Sequence, residues 1–339
     1  MNEINIVHSL PQEEWRRFVE TNPNGNIFHT PEMFEVYAKT KGCQPTLWAA
    51  VDKAGNILAL LLPVQITLRE GLLRYLTTRA IVYGSILTDP SSAGRDALSM
   101  MLQSYIGEKN HVAMFTELRN LSDLKDVQSV MNRHGFVYED HLNYIINLNH
   151  SPAEVFENIG RRTRKNIRHG LNRGDVVIEE VKKFDQVGVC YKLLAKTYKM
   201  AGVPLADPSL FSAAFEFLRP RGMIRFTLAS MQGVPIATSI DLLYRDVIYG
   251  WYGGLDRAYK NSAANELLMW NILEWGVNKG YRIYDFGGAG KPDEKYGVRD
   301  FKAKFGGDLV CYGRNIWIAH PLLYHTSKTV YNVVRRAIA

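Results

Sequence analysis

Two stretches of the chain share one pattern, in which two runs of apolar residues flank a short polar turn with a glycine. Residues 47–64 read LWAAVDKAGNILALLLPV, with the turn at Gly55. Residues 225–241 read RFTLASMQGVPIATSID, with the turn at Gly233, 178 residues later. Apolar runs that are rich in β-branched residues and flank a glycine turn are typical of antiparallel strand pairs.

The elements that follow these strand pairs also recur at a similar spacing. A helix gives way to a strand at residues 109–116 (KNHVAMFT) and again at residues 279–286 (KGYRIYDF), 170 residues later. Helices are predicted to end at residues 134–136 and at residues 304–306, again 170 residues apart. Similar offsets in the same order predict a duplicated unit.

Each unit is predicted to hold its elements in the order β-β-β-α-β-α-β, as a mixed sheet covered by a few helices. This order resembles the core of the GNAT acyltransferase fold. The length of 339 residues fits two such domains. We therefore predict an α+β protein with two tandem GNAT-like domains, each a mixed sheet flanked by helices, at residues 1–147 and 148–320.

The tail after the second domain is predicted to form a basic amphipathic helix over residues 321–339. Its cations are Lys328, Arg335 and Arg336, and no acidic residue follows Asp308. A helix of this kind suits peripheral contact with the anionic inner face of a membrane. Docking onto the protein's own core is the alternative, and the sequence leaves both open.

A basic helix opens the second domain. Ser151 and Glu154 form a predicted capping box with Pro152 at the first helical position, and Gly174 ends the helix. Residues 161–173 contain no acidic side chain. One helix face carries the cations Arg161, Arg162, Arg164, Lys165 and Arg168. Solvated charged faces usually mix signs, so this face is predicted to bind phosphate, with a solvated face as the alternative.

The net charge of +7 lies entirely in the second half of the chain. Residues 1–150 hold 13 Lys and Arg against 16 Asp and Glu, whereas residues 151–339 hold 28 against 18. A balance of −3 against +10 favours an anionic partner for the second half, such as a nucleic acid, a nucleotide or a phosphorylated lipid head group. A merely basic surface is the alternative.

The composition argues against several other classes of protein. The longest strictly apolar run, residues 57–62, is too short to span a bilayer, and the first ten residues hold no apolar segment of a secretory signal. Cys43, Cys190 and Cys311 lie too far apart for a disulfide framework or a zinc site. We expect a reduced, cytoplasmic protein that uses no metal and no cofactor.

Three stretches of the second domain resemble a known family. They are residues 160–174 (GRRTRKNIRHGLNRG), residues 249–288 (from YGWYGG to DFGG) and residues 301–307 (FKAKFGG). Their order and spacing resemble the FemABX family of peptidoglycan bridge aminoacyltransferases and peptidyltransferases, and equally the GNAT-like acyltransferases of exopolysaccharide loci. The first domain resembles the family more loosely, through residues 28–39 and the strand end at residues 117–120.

The resemblance implies an activity and a set of site residues. Family members with known activity take an amino acid from aminoacyl-tRNA and join it to an amine of a peptidoglycan precursor. By resemblance, Lys302 contacts the reacting end of the tRNA beside Phe301, and Lys39 contacts precursor phosphate. The family's phosphate-binding arginine has no clear match, and residues 200–208 read MAGVPLADP, as in the exopolysaccharide-locus relatives. The acceptor is therefore left open between a cell-wall and a polysaccharide precursor.

Amide formation from an aminoacyl ester needs positioning, a neutral amine and stabilisation of the oxyanion, because the ester is already activated. We expect Lys302 to be exposed and to serve the last task, or to hold the RNA end, while Phe301 shapes the pocket wall. Two solvated lysines on an amphipathic helix, with Phe301 in its core face, are the alternative. Asp285 is the third catalytic candidate, and it ends a strand before a Gly-Gly loop that permits close approach of a ligand. A turn in which Asp285 caps its own backbone is the alternative. The further candidate substrate-binding residues are Glu117, Arg119, Tyr252, Gly287 and Gly288.

Aromatic residues alternate along one predicted strand of the second domain. Tyr249 and Trp251 are expected on one face of this strand and Tyr252 on the other. Stacking on a sugar or a base is one role for such a face, and core packing is the alternative for most of these rings.

The leading functional hypothesis is an enzyme, an amide-forming acyltransferase of the aminoacyltransferase type that uses aminoacyl-tRNA as its donor. The runner-up is a GNAT N-acyltransferase that uses acyl-CoA in polysaccharide or lipid biosynthesis. Residues 258–267 (AYKNSAANEL) contain no glycine for a pyrophosphate cradle, which argues against coenzyme A. A non-catalytic RNA-binding module is the third hypothesis, and it leaves the Phe-Lys helix and the Gly-Gly loop without a purpose.

Overall fold

The computed structural model describes residues 3–67, 71, 74–108, 112–324 and 326–327. The chain divides into two compact units, one made of Met1–Asp140 with Tyr312–Ala339 and the other of His141–Cys311. Both units contain β-sheet and helices, so the predicted α+β class is confirmed.

The first unit contains two sheets and the helices that cover them. Its strands up to residue 140 are β1 (Asn5–Val7), β2 (Cys43–Pro45), β3 (Trp48–Val51), β4 (Ile57–Leu61), β5 (Val64–Thr67), β6 (Thr78–Tyr83), β7 (Leu87–Thr88), β8 (Phe115–Arg119) and β9 (Val137–Glu139). Its helices are α1 (Gln12–Thr21), α2 (Pro31–Ala38), α3 (Arg74–Thr77), α4 (Ser92–Ile106) and α5 (Lys125–Arg133).

The core of the first unit forms around α4. Ser91 caps this helix by accepting a hydrogen bond from the N–H of Gly94. Residues of α4 spaced by three and four, such as Leu98, Met101 and Leu102, are fully buried with the strands β3 and β4. The 3.6-residue period therefore fixes which face of α4 meets the sheet.

The second unit contains one seven-stranded sheet in the order β11-β12-β13-β14-β15-β10-β16. Its strands are β10 (Leu142–Asn147), β11 (Val176–Glu180), β12 (Ile224–Met231), β13 (Val234–Tyr244), β14 (Val247–Leu255), β15 (Ile283–Gly288) and β16 (Asp308–Cys311). Its helices are α6 (Pro152–Asn158), α7 (Arg161–Arg173), α8 (Val187–Ala201), α9 (Pro208–Leu218), α10 (Ala264–Asn278) and α11 (Gly297–Ala303).

The two units repeat the same order of strand pairings. The hairpin β3–β4 turns at Gly55 with φ +86°, and the hairpin β12–β13 turns at Gly233 with φ +77°. Each unit then has a parallel pair, β6 with β8 and β14 with β15. The duplicated unit predicted from the offsets is therefore present in the fold.

The boundaries between the units differ from the predicted 1–147 and 148–320. The last strand of the described chain, β17 (Arg314–Ile318), pairs with β8 and β9 of the first unit. Strand β10, which follows β9 along the chain, pairs instead with β15 and β16 of the second unit. The six-stranded sheet of the first unit and the seven-stranded sheet of the second unit thus each contain a strand that the predicted boundaries assigned to the other unit.

The helix predicted over residues 152–173 is two helices. The capping box of Ser151 and Glu154 opens α6 as predicted, but Ile159 is extended at ψ 139° and interrupts the helix. The N–H of Gly160 donates to the carbonyl of Lys304 at 2.9 Å, after the end of α11. The helix breaks here because α11 supplies this hydrogen-bond partner.

The basic amphipathic helix predicted over residues 321–339 lies largely outside the described residues, and so do its cations Lys328, Arg335 and Arg336. In the part of the chain that the structure describes, no helix has both the length and the apolar composition that crossing a membrane requires.

Candidate active site

The parallel strand pair of the second unit separates partway along its length. β14 and β15 are paired up to Tyr249 and Asp285. Beyond that point β14 continues beside β13 as residues 250–255, whereas β15 continues beside β10. In the first unit, β6 and β8 stay paired to their last residues, Tyr83 and Arg119. The opening between β14 and β15, termed the strand split, therefore belongs to the second unit.

A β-bulge lies in β14 at the strand split. Trp251 has no partner in the register between β13 and β14, because β14 advances two residues from Gly250 to Tyr252 while β13 advances one. The rings of Trp251 and Tyr252 both contact Phe211 of α9, at centroid distances of 6.1 and 4.8 Å. The predicted placement of these two side chains on opposite faces is wrong, because a bulge interrupts the regular alternation.

Lys302 of α11 holds the end of β15. Its Nζ donates to the carbonyl oxygens of Phe286 at 2.6 Å, Gly287 at 3.2 Å and Gly288 at 2.7 Å. The residue is only 8 % exposed, so the expectation of an exposed lysine is wrong. The three donors of the ammonium group find three main-chain acceptors, which compensates for its burial. Residues 286–290 (FGGAG) are termed the glycine segment below.

A second cation of α11 holds the continuation of the glycine segment. The Nε of Arg299 donates to the carbonyl of Ala289 at 2.8 Å, and its Nη1 donates to the carbonyl of Pro292 at 3.2 Å. Its Nη2 donates to the carbonyl of Lys291. Arg299 was not among the predicted site residues, although its i, i+3 spacing from Lys302 places both cations on one face of α11.

Asp285 directly precedes the glycine segment in the chain, and its side chain is buried. The N–H of Gly287 donates to its Oδ1 at 2.6 Å. Burial raises the pKa of Asp285 to about 6, while Gly287, Lys302 and a hydrogen bond from Asn143 oppose this rise. Burial likewise lowers the pKa of Lys302 to about 8, against the attraction of Asp285. Between about pH 6 and pH 8, both groups therefore carry their charges.

Phe301 lies next to Lys302 and packs against the core of the second unit. Its ring meets the buried ring of Phe305 edge to face at 5.2 Å. The Nζ of the exposed Lys304 lies 5.8 Å from the centroid of the Phe301 ring. These contacts agree with the alternative that assigns Phe301 to the core face of the helix.

Gly287 brings the glycine segment close to Tyr249 of the neighbouring strand. Its φ is +67°, in the left-handed region that favours glycine. A Cβ at this position would lie 2.8 Å from the hydroxyl oxygen of Tyr249. The Tyr249 hydroxyl group is thereby placed against the main chain at the start of the strand split.

We expect Gly287→Ala to lower the free energy of unfolding by about 1–3 kcal/mol, because the added Cβ combines a strained φ with a close contact. Urea denaturation followed by tryptophan fluorescence measures this loss. Gly297→Ala is the matched control, since a Cβ there meets no atom within 4 Å. The control is expected to change stability by less than about 0.5 kcal/mol. Equal losses in both variants would contradict the conformation described for Gly287.

Tyr252 of β14 packs against aromatic rings of α8 and α9. Its ring lies 4.8 Å from Phe211 and 5.8 Å from Tyr198. Burial raises the pKa of Tyr198 to about 12, and the neighbouring Tyr296 adds to this rise. Tyr296 also touches the glycine segment, because a Cβ on Gly290 would lie 3.0 Å from its ring. The predicted substrate residue Tyr252 thus sits in an aromatic wall that reaches the glycine segment.

The predicted phosphate-binding cations lie together on α7. A surface recess of about 840 Å³ is lined by Arg161, Arg162, Arg164, Lys165, Arg168, His169 and Asn172, termed the basic surface. Glu157 of α6 pairs with Arg164 and, at 3.0 Å, with Arg168. The first turn of α7 holds no acidic residue, although the positive end of the helix dipole favours one there. Cations gathered at this end oppose the dipole, and phosphate binding by the basic surface stays a prediction.

Glu117 and Arg119 of the first unit form an ion network across its sheet. The Oε1 of Glu117 accepts from Arg119 Nε at 2.6 Å and from Arg314 Nη1, on β17, at 3.0 Å. Burial by itself raises the pKa of Glu117, but the charges of Arg119 and Arg314 outweigh it and lower the pKa. These contacts join β8 to β17, and a substrate role for both residues stays a prediction. Lys39 is exposed at the end of α2.

Comparisons with known proteins agree with this geometry. Residues 158–302 match the family described as an acetyltransferase (GNAT) domain, a range that includes the basic surface, the strand split and Lys302. No curated protein matches the chain significantly in sequence.

Several solved structures share the fold over nearly the whole chain. The structure of FemX has a TM-score of 0.73 at 15 % identity and covers 95 % of this chain and 99 % of its own. A C-terminal domain (DUF2156) described as that of a lysylphosphatidylglycerol synthetase, from Agrobacterium fabrum, has a TM-score of 0.58 at 14 % identity, covering 94 % and 95 %. A tandem GNAT protein from the clavulanic acid biosynthesis pathway has a TM-score of 0.58 at 12 % identity, covering 94 % and 99 %.

These comparisons define the class of the protein. The chain has a tandem GNAT fold, as predicted, and its likeness to FemX and other GNAT-like proteins is confirmed at the level of the fold. The match of the second unit to a GNAT acetyltransferase domain supports an acyltransferase.

Proposed function

We propose that this protein transfers an aminoacyl group from aminoacyl-tRNA to an amine of an anionic cell-wall or polysaccharide precursor, forming an amide. The observation that carries the proposal is the contact between the start of α7, the helix of the basic surface, and the end of α11. Gly160, which precedes α7, is hydrogen-bonded at 2.9 Å to the carbonyl of Lys304. Lys304 follows α11 directly, and α11 supplies the two cations that hold the glycine segment. We propose that an RNA whose phosphates lie on α7 extends its acceptor end past α11 toward the split.

Two features at the N-terminus of α10 oppose binding of the pyrophosphate of coenzyme A. The N–H of Ala264 is directed to the Oγ of Ser262 at 3.2 Å, and Glu266 adds negative charge in the first turn. An anion site at a helix N-terminus needs free N–H groups and no competing carboxylate. This arrangement favours the tRNA donor over the acyl-CoA alternative.

The reaction requires positioning and stabilisation of charge. The acceptor amine attacks the ester carbonyl carbon, a C–N bond forms, the C–O bond to the ribose breaks, and the ribose oxygen takes up the proton that nitrogen loses. We assign the developing oxyanion to main-chain N–H groups at the Trp251 bulge, where the ladder leaves a residue unpaired. Lys302 and Arg299 act as positioning residues, because their donors bind the carbonyls of the glycine segment and its continuation.

An anionic acceptor is supported by a relative of similar fold. The neighbour described as a lysylphosphatidylglycerol synthetase is named for an aminoacylated lipid, and it shares this fold at a TM-score of 0.58. Transfer of an aminoacyl group to an anionic acceptor is therefore consistent with this architecture.

We expect uncharged total tRNA to bind the full chain with a Kd at least about ten-fold below that of coenzyme A at about 0.1 M salt, because RNA phosphates engage several cations of α7 at once. Fluorescence anisotropy with labelled tRNA, and displacement by coenzyme A, measures both constants. The affinity for tRNA is expected to fall steeply as salt rises. Tighter binding of coenzyme A, or tRNA binding that is indifferent to salt, would favour the acyl-CoA alternative.

A further inference from the structure

A second cavity of the second unit lies away from the strand split. It has a volume of about 470 Å³, within the range of about 300–1,000 Å³ that is usual for small-molecule sites. Its wall includes the start of β12, the end of β13 with the turn that leads to β14, and the segment before β15. The split, in contrast, opens toward the far ends of β14 and β15. The charged residues that line it are Glu180, Arg219, Arg225, Arg245 and Lys279. Four cations against one carboxylate give the cavity a strongly positive wall.

Arg225 is a buried cation with unused hydrogen-bond donors. It is 8 % exposed, and among the described residues its Nε and Nη1 have no hydrogen-bond acceptor. Its Nε lies 3.5 Å from Glu180 Oε2, an ion pair too long for a good hydrogen bond. Only its Nη2 is engaged, donating to Asn271 Oδ1 at 3.2 Å. Buried guanidinium donors are expensive to leave unpaired. Arg225 lines the cavity, and its long ion pair with Glu180 compensates its charge only in part, which favours an anion there.

The other groups around Arg225 favour a ligand with more than one negative charge. The Nε of Arg219 is also buried without an acceptor among the described residues. Asp241 is the nearby buried acid, opposite Arg225 in the β12–β13 register. Burial raises its pKa to about 6, opposed by hydrogen bonds from Ser239 and, at 3.1 Å, Tyr284 and by the charge of Arg225. Asp241 makes no hydrogen bond to Arg225 among the described residues, and a phosphate matches more of the cavity's cations than a single carboxylate ligand does.

Aromatic side chains complete the wall of the cavity. The guanidinium carbon of Arg225 lies 4.6 Å from the centroid of the Trp275 ring, which holds this cation in place. Trp275 is in turn stacked on Tyr281, with centroids 5.5 Å apart and planes 27° apart. The organic part of a phosphorylated ligand therefore finds apolar surface next to the cations.

We infer that this cavity binds a small organic phosphate or diphosphate, with its phosphate oxygens on Arg225 and Arg219, at a site separate from the strand split. The ligand of this cavity is separate from both substrates of the proposed transfer, the donor RNA and the acceptor amine. Its position on the same sheet, at the other ends of β14 and β15, makes it suited to an effector of the transferase.

Isothermal titration of the full chain with inorganic pyrophosphate tests the inference, with acetate at equal ionic strength as the comparison. Pyrophosphate is expected to bind with a Kd below about 1 mM and acetate not to bind measurably. Arg219→Gln is expected to weaken pyrophosphate binding by at least about ten-fold. Arg221→Gln, in the same turn but outside the cavity wall, is the matched control and is expected to leave the Kd unchanged.

Arg225→Lys supplies a second variant, and circular dichroism identifies which variants fold. Any pyrophosphate held by the basic surface contributes equally to both glutamine variants, so their difference reports the cavity alone. Equal Kd values for Arg219→Gln and Arg221→Gln, or no binding to the wild-type protein, would overturn the inference. The affinity for tRNA is expected to be the same in both variants, so failure here is distinct from failure of the proposed transfer.

Discussion

Lys302→Ala is expected to lower the transfer rate by about 10²–10³-fold and the free energy of unfolding by about 2–4 kcal/mol. The substitution leaves the carbonyls of Phe286, Gly287 and Gly288 without their shared donor. It also removes the positive charge that stabilises the buried Asp285 carboxylate. The glycine segment then loses the position that the transfer requires. Single-turnover assays at a temperature where circular dichroism reports a folded variant, together with urea denaturation, measure the two effects.

Lys304→Ala is the matched control for this variant. Lys304 is exposed and its Nζ contacts only the face of the Phe301 ring among the interactions described for its side chain, at 5.8 Å. We expect its removal to change the rate by less than about two-fold and stability by less than about 0.5 kcal/mol. Equal rates in Lys302→Ala and Lys304→Ala would remove Lys302 from the account of the site.

The pH profile distinguishes a positioning role of Lys302 from a simple loss of stability. In the wild-type protein the Asp285 carboxylate takes up a proton as the pH falls through about 6, and the Lys302 ammonium loses one as the pH rises through about 8. The rate is therefore expected to decline on both sides of this interval. The decline near pH 8 is expected to disappear in Lys302→Ala, because the titrating group is gone.

Reversal of two cations on α7, Arg162→Glu with Lys165→Glu, is expected to weaken tRNA binding by at least about 100-fold near 0.1 M salt. Both side chains are exposed on the basic surface, and each reversal replaces an attraction to phosphate with a repulsion. The slope of log Kd against log salt is expected to fall by about two, one for each lost phosphate contact. Anisotropy titrations at several salt concentrations measure both quantities.

The control for the reversal is Lys125→Glu with Arg133→Glu on α5 of the first unit. This pair changes the net charge by the same amount, at two exposed side chains of a helix that carries no proposed site. We expect its effect on tRNA binding to be below about three-fold, as long-range charge alone contributes little at this salt. Similar losses of tRNA affinity in both double variants would show that the basic surface is a solvated helix face with no specific role in tRNA binding.

Much of the fold could be predicted from local pattern. The glycine turns at Gly55 and Gly233 and the matching offsets after them predicted a duplicated mixed sheet, because strand alternation and turn chemistry are short-range properties. The capping box at Ser151 was predicted for the same reason. The pairing of β10 with strands of the second unit and of β17 with strands of the first unit was not predicted. The pairing of distant strands leaves no local signal in these short segments.

The candidate site was predicted in part. The sequence pointed to Lys302, Asp285 and the glycine pair, but it presented Lys302 as a solvated lysine. Burial of Lys302 depends on three carbonyls that only the folded β15 presents to α11, and no spacing rule reveals that arrangement. Asn143, which hydrogen-bonds to Asp285, comes from β10 and lies 142 positions earlier in the chain. The bulge at Trp251 likewise appears only in the register of β13 and β14.

The central claim is tested most directly by a transfer assay that offers each donor separately to the wild-type protein. Total tRNA charged with radiolabelled amino acids is compared with radiolabelled acetyl-CoA, using a cell-envelope precursor extract as the source of amine acceptors. The account predicts label in an alkali-stable amide product from charged tRNA, loss of that product after ribonuclease treatment of the donor, and none from acetyl-CoA. Label transferred from acetyl-CoA but not from charged tRNA would contradict the account and establish the acyl-CoA alternative.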